Sequence, residues 1–408
     1  MTYCCIHFIT AASERQPAAP GKAEGGKTAT AHSLQPTACY NSRMRVFVLL
    51  LLCCLAAGAA QITFRDNFES GMKNWLPPRP ADWEIAAEGG NHFLRLIRPG
   101  YGPGVPRRPL NYALLRDRCF SNFTLSTRLR RAGKSLMIVF GYQDTLHFNY
   151  THLSVDRGTQ QKVHNGIFRV DGGERARIDD PDRPPALPDQ EWHTAKLVRQ
   201  GAQVAVYMDG SAEPLLSVNQ GLFPYGRVGI GSFDESGDFD DFQITGTPSS
   251  ACDSADVKLP ALADTALTVK AAAEVKNYGT EQALPLGPDG FALLDFPGLR
   301  QWPGYQVKQA LLFLHAPGQT AGQLRVSAVK GQWNEKAPPS SLGFAWKAAT
   351  AQVRQEGWLA VPVDAALVRG MINGESDGLA LSAAQPLTID SRESTFSPYL
   401  QLQLEKTR

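Results

Sequence analysis

From Gln61 onward, apolar residues recur in short runs at every second position, broken by Gly, Pro, Asn and Asp. "FLRLIRP", "FTLSTRLR", "LMIVFGY", "LHFNYTHLSV", "GIFRVDG", "WHTAKLVRQG", "QVAVYMDG" and "GRVGIGSF" alternate or carry β-branched and aromatic residues, as half-buried strands do. The Asp209-Gly210 pair in "YMDGS" lies between apolar strands and predicts a hairpin turn. "TGTPSSACDSADVK", Thr245 to Lys258, is small and polar and reads as a linker. A second strand series follows in "TALTVKAAA", "FALLDF", "KQALLFLHA", "QLRVSAVKG", "GWLAVPVD", "GLALSAA" and "PYLQLQLE". One short helix is predicted over Asp364 to Ile372, with Asp364 as its N-cap. The pattern predicts an all-β protein of two β-sandwich (jelly-roll) domains, 61–246 and 259–408, joined by a short linker at 247–258.

The segment before Gln61 is patterned differently. "MRVFVLLLLCCLAAGAAQITF" starts at Met44 and places Arg43 and Arg45 ahead of an apolar run over 46–55, with small residues at 57–60. This is the layout of a secretory signal peptide, 44–60, and the apolar run is shorter than the roughly 20 residues a membrane span requires. A secreted protein (periplasmic or extracellular) with no stable membrane span after cleavage is expected. Residues 1–43 lack apolar periodicity and are expected to be a disordered extension or to precede a true start at Met44. A long n-region or a signal anchor is the alternative.

A chain of 408 residues exceeds one small core, in keeping with two or three domains. Its 41 Lys and Arg against 39 Asp and Glu leave +2, without a basic run, so nucleic acid is not an expected partner. Five of the seven Cys precede Gln61, leaving Cys119 and Cys252. In an oxidising compartment these two either pair, tying the end of the first block to an early strand, or stay as free, half-buried thiols. Spacing does not choose, because a disulfide depends on Cα separation.

Candidate chemistry concentrates in "GYQDTLHFNYTHLS", Gly141 to Ser154. If Leu146 to Leu153 is one strand, His147, Asn149 and Thr151 share one face, and Phe148, Tyr150 and His152 share the other, expected to be the core side. No compact triad can then form within the strand. "RPGYGPGVPRRPLNY" supplies Tyr101, Arg107 and Arg108 on a Pro/Gly-rich loop, and "KVHNGIFRV" adds Lys162, His164 and Arg169. Such a mix suits a polar or anionic saccharide; the alternative is a solvated face without a ligand. Trp75, Trp83, Trp302, Trp333, Trp346 and Trp358 are candidates either for stacking on sugar rings or for packing.

Three stretches make the first block resemble the concanavalin A-like (laminin G-like) jelly rolls of secreted glycan proteins: "FRDNFESGMKNW" (64–75), "EWHTAKLVRQGAQVAVYMDG" (191–210) and "GRVGIGSFDESGDFDDFQITG" (226–246). The second block resembles the carbohydrate-binding modules and surface domains named for a DNRLRE motif. It does so through "ADTALTV" (263–269), "KNYGTEQALPLG" (276–287), "FALLDF" (291–296) and "QALLFLH" (309–315). "VKGQWNEKAPP" (329–339), "WLAVPVDAALVRGMINGESDGLALS" (358–382) and "DSRESTFSPYLQLQL" (390–404) continue the match in order. "FALLDF" departs from the name motif, with Asp295 and no Arg.

The resemblance implies a glycan site on the concave sheet face of the first block, with His147, Asn149, Arg107, Arg108, Tyr101 and His164 as its ligand-binding residues. It also implies a structural Ca²⁺ between the first and last strands, held by Asp66, Glu69 and Asp241. Ordinary turn and edge contacts are the alternative role for these acids. The expected function is a glycan-binding protein for a polysaccharide or oligosaccharide, with no nucleic-acid partner. A glycoside hydrolase or polysaccharide lyase at the same face, and a non-catalytic adhesion protein, are the alternatives. Retaining hydrolases of this fold pair two carboxylates on one strand, and no such Glu-x-Asp run occurs here. A lyase would draw on Tyr150, His147, Asn149 and Arg108, and alternation separates Tyr150 from His147.

Overall fold

The structure is a computed structural model and describes residues 60–98, 107–157, 164–179, 183–221, 223–270, 274–318, 322–331, 333–335, 343–353 and 357–407. The expected extension 1–43 and nearly all of the expected signal segment 44–60 lie outside the described residues, as do Tyr101 and Lys162. The chain is all-β, as the alternating pattern predicts.

The first strand series forms two antiparallel sheets. The eight-stranded sheet runs in the order Leu216–Val218, Gln203–Met208, His193–Gln200, Phe120–Arg131, Gly237–Pro248, Asn91–Leu96, Trp83–Glu88, and Ile62–Asp66 also pairs with Gly237–Pro248. The seven-stranded sheet runs Ala176–Arg177, Gly166–Asp171, His147–Ser154, Ser135–Asp144, Arg227–Ser232, Asn111–Leu115, Trp75–Leu76. Asp209 and Gly210 both take positive φ (51° and 74°) at the predicted hairpin, a conformation Asp and Gly tolerate best.

The two sheets are buried differently. His193–Gln200 alternates buried with exposed or half-buried residues, so one face of the eight-stranded sheet meets solvent. Ser135–Asp144 and His147–Ser154 are buried at nearly every position, which means that both faces of the seven-stranded sheet are covered. One face, with Ile138, Phe140, Leu153 and Ile230, packs on Leu125, Leu197, Phe239 and Ile244 of the facing sheet. The other face, with Tyr112, Met137, Val139, Tyr142 and Phe148, shares a second core with Val257, Leu259, Leu299 and Trp302.

Those last residues belong to the second sandwich. Its four-stranded sheet runs Ser254–Pro260, Tyr399–Lys406, Tyr305–Ala316, Gly357–Pro362. The six-stranded sheet runs Glu274–Asn277, Ala263–Lys270, Gly290–Asp295, Leu379–Ala383, Gly322–Lys330, Gly343–Val353. The predicted helix is present as Ala365–Ile372, and the Asp364 carboxylate accepts from the Ala366 N–H at 2.8 Å. Residues Ala59–Arg408 form one compact unit.

The expected linker at 247–258 is not a free connection. Gly237–Pro248 ends inside it, Ser250–Cys252 forms a 3-10 turn, and Ser254–Pro260 pairs with Tyr399–Lys406 as an edge strand. Val257 and Leu259 alternate inward there, a short strand pattern hidden by its small polar neighbours. Cys119 and Cys252 are joined by a disulfide, with Cα atoms 6.2 Å apart, so the junction is also covalently tied to the first sandwich. Gln301, fully buried, bonds across it. It accepts from the Tyr142 hydroxyl at 3.0 Å and donates to the carbonyls of Leu76 and Tyr112 at 3.3 and 3.5 Å.

Candidate functional site

Strand His147–Ser154 alternates as expected, but both of its faces are buried. Asn149 lies opposite Phe140 and Thr151 opposite Ile138, and both partners belong to the first sandwich's own core. Directly opposed residues point to one face, so the polar set is the inner one. Phe148, Tyr150 and His152 lie on the opposite face and are buried as well, as expected of a core side. Asn149 is fully buried, and its Oδ1 accepts from the Phe223 N–H at 3.0 Å. Its expected contact with a sugar is therefore corrected to a structural role. His147 stands at the far end of the strand, roughly 17 Å of strand from His152. Its Nδ1 lies 2.8 Å from Asp144 Oδ1, and this bond raises its pKa. Arg108 is fully buried rather than at a cleft rim, and burial lowers its pKa. Tyr101 lies outside the described residues.

Arg107 and His164 come together with residues the sequence did not single out for binding. The outer face of the seven-stranded sheet is covered by the second sandwich over the half that carries Tyr142. At the other half, Tyr150 and Phe168 stack at 5.3 Å, and His152 and Phe233 stack at 5.8 Å. The Arg175 guanidinium lies 4.9 Å from the Phe168 ring centre and 4.4 Å from that of Phe233. It donates to the Tyr150 hydroxyl at 3.1 Å and meets His152 Nδ1 at 3.2 Å. The guanidinium of Arg107, an exposed residue, lies 4.9 Å from the Phe233 ring centre. The His164 ring sits 5.2 Å from that of His152 and its Nδ1 is hydrogen-bonded to Asp156. Two guanidinium groups thus cap a buried aromatic layer, both held by cation–π attraction and Arg175 also by its hydrogen bonds.

This geometry also fixes protonation. Arginine only donates, so His152 Nδ1 accepts, and Nε2–H donates to Ser135 Oγ at 2.8 Å. His152 is the neutral Nε2–H tautomer. Burial, followed by Arg175, His164, Arg107 and Arg177, pushes its pKa well below the ordinary value. Burial also pushes the Tyr150 hydroxyl upward, against the opposing effect of Arg175 and Arg107. Neither group is poised to take a proton at neutral pH, because both His152 nitrogens are engaged and Tyr150 resists ionisation.

A pH dependence follows. The unfolded chain binds a proton at His152 near pH 6.5 and the folded chain does not, so stability falls as pH falls below 6.5. The expected loss from this residue is up to about 1.4 kcal/mol per pH unit. Urea unfolding at pH 7 and pH 5 should show a shallower acid loss for His152→Gln than for the parent. Equal slopes would remove His152 as the source.

The expected calcium ligands do not assemble. Asp66 accepts from the Phe68 N–H, Asn74 Nδ2 and Trp75 Nε1. Glu69 is bound to the His92 N–H and ring, which lower its pKa. Asp241 pairs with Arg128 at 3.3 Å. Their oxygens are directed at N–H donors, and among the described residues they form no three-carboxylate group able to share one ion. Of the tryptophans, Trp75, Trp83 and Trp302 are buried packing residues, while Trp358 is 45% exposed. Trp333 Nε1 donates to the Asp377 carbonyl, and the Trp346 side chain lies outside the described set.

No family model matches the chain, and no curated protein matches it. Among solved structures, it is similar to a carbohydrate-binding module from Bacillus subtilis, at 13% identity and a TM-score of 0.31 over 42% of this chain and 96% of that one. A Bacillus subtilis protein of unknown function with a galectin-like fold shows 12% identity and a TM-score of 0.31, covering 45% of this chain and 95% of the other. A GH43 protein from Bacillus licheniformis shows 16% identity and a TM-score of 0.31, covering 44% and 38%.

Proposed function

We propose that the chain is an exported glycan-binding protein whose first sandwich recognises an acidic saccharide. The observation that carries this reading is the pair Arg107 and Arg175 laid over Phe233 at the half of the seven-stranded sheet that the second sandwich does not cover. Carboxylate or sulfate groups would pair with the guanidinium N–H donors, and His164 would add a further polar contact. The signal-type segment and the disulfide both support export. The saturation of His152 and the high pKa of Tyr150 favour binding over lyase chemistry. A second surface supports a two-module reading. Trp358 and Phe396 are both exposed and stand edge to face at 6.1 Å, beside His315 and Tyr399. Such ring faces stack on the C–H faces of sugars.

The test is a panel of acidic and neutral oligosaccharides presented to residues 61–408, recording both binding and product release. Arg107→Ala is expected to weaken acidic-ligand binding about tenfold, the loss of one charge-assisted contact, and added salt should weaken it further. Trp358→Ala reports on the second surface alone. New reducing ends or unsaturated uronates would replace the proposal with an enzyme. Absence of any binding would favour the adhesion reading.

A further inference from the structure

Three motifs that are far apart in the sequence converge in the second sandwich. Asp264 comes from "ADTALTV", Glu335 from "VKGQWNEKAPP" and Glu393 from "DSRESTFSPYLQLQL". One carboxylate oxygen from each lies within 4.8 Å of the other two. Asp264 is fully buried. Its Oδ2 accepts from the Arg392 N–H at 2.6 Å, while its buried Oδ1 has no hydrogen-bond partner. Glu393 Oε2 is likewise buried and without a partner. Glu335 is oriented by the Arg392 guanidinium, at 2.5 and 3.1 Å, and by the Asp264 N–H at 3.1 Å. Arg392 also lies 3.0 Å from Glu393 Oε1.

Partnerless buried carboxylate oxygens are costly. Burial, and after it Glu393 and Glu335, push the Asp264 carboxyl up to about 8. When all three carboxylates are ionised, the one guanidinium leaves two negative charges, which one divalent cation neutralises in place of the proton. All the donor atoms are oxygen, with no His or Cys in the group, so the site suits a hard cation. Opposite oxygen ligands of one Ca²⁺ stand roughly 5 Å apart, a span that accommodates this group.

We propose that Asp264, Glu335 and Glu393 form a binding site for a hard divalent cation, calcium by size and ligand type, pinning the start of one strand to two turns of the second sandwich. The site is separate from the arginine-capped face and does not depend on glycan binding. The full chain, stripped with EDTA and dialysed, is titrated with calcium chloride alone by calorimetry, and its Tm is followed. Saturating calcium is expected to raise Tm by roughly 5 °C, the shift that binding to the folded state alone produces. Asp264→Asn and Glu393→Gln, each close in shape to the parent, are expected to weaken calcium binding at least tenfold. Far-UV circular dichroism confirms that the variants fold. No heat and no Tm shift in the parent chain up to millimolar calcium would overturn the proposal, and this outcome needs no variant. A shift of equal size in both variants would overturn it as well. So would an Asp264→Asn chain more stable than the parent with calcium present, which would identify a bound proton rather than a cation.

Discussion

Trp302→Ala is expected to lower the stability of the chain by about 3–5 kcal/mol, the range for removing a large buried aromatic side chain. Trp302 is 2% exposed and sits in the core shared by the two sandwiches. Its ring stands edge to face with Tyr305 at 5.2 Å and 5.6 Å below the Arg227 guanidinium. Arg227, itself buried, donates to the carbonyl of the neighbouring Gln301. Truncating Trp302 therefore opens a cavity and exposes a buried cation to a poorer environment at once. Urea unfolding followed by near-UV circular dichroism and by fluorescence measures the cost. A loss below about 1 kcal/mol, outside that range for a buried aromatic, would mean that the two sandwiches do not share this core.

The Cys119→Ser, Cys252→Ser double variant is expected to lose about 2–4 kcal/mol. The bond joins residues 133 apart in sequence, so the loop it closes contains most of the first sandwich. Closing so long a loop removes many conformations from the unfolded chain, and the folded state gains by comparison. The Ser249 N–H bond to the Cys119 carbonyl, at 2.9 Å, holds the same junction without the disulfide, so the variant should still fold. Thermal unfolding of the parent with and without reductant checks the same quantity. An unchanged midpoint in both experiments would assign the junction's stability to packing alone.

The two halves of the candidate site were legible to different degrees. Arg107 and His164 stand out in the sequence as polar groups flanking a strand, and both reach the arginine-capped face. Arg175 does not stand out, because "DGGERAR" reads as a polar turn. Only the return of that turn across Phe168 and Phe233 gives its charge a place. Asn149 misleads for the opposite reason. A polar residue on a strand is ordinarily solvent-facing, but here its amide oxygen satisfies the Phe223 N–H inside the core. Asp66 and Asp241 mislead similarly, since a carboxylate on a strand looks the same in sequence whether it meets a metal ion or an N–H.

What the sequence determined by itself is local. Period-two alternation made the strands, Asp209-Gly210 made the hairpin, and Asp364 capped the one predicted helix. Each follows from a few neighbouring residues and backbone sterics. Tertiary structure alone decided that both faces of His147–Ser154 are inside, that the segment 254–260 is a strand, and that Asp264, Glu335 and Glu393 meet. Alternation divides a strand into two faces without labelling either, and only what packs against them supplies the label. In this chain the second sandwich covers half of a sheet face, and that contact is what leaves the arginine-capped half as the candidate site.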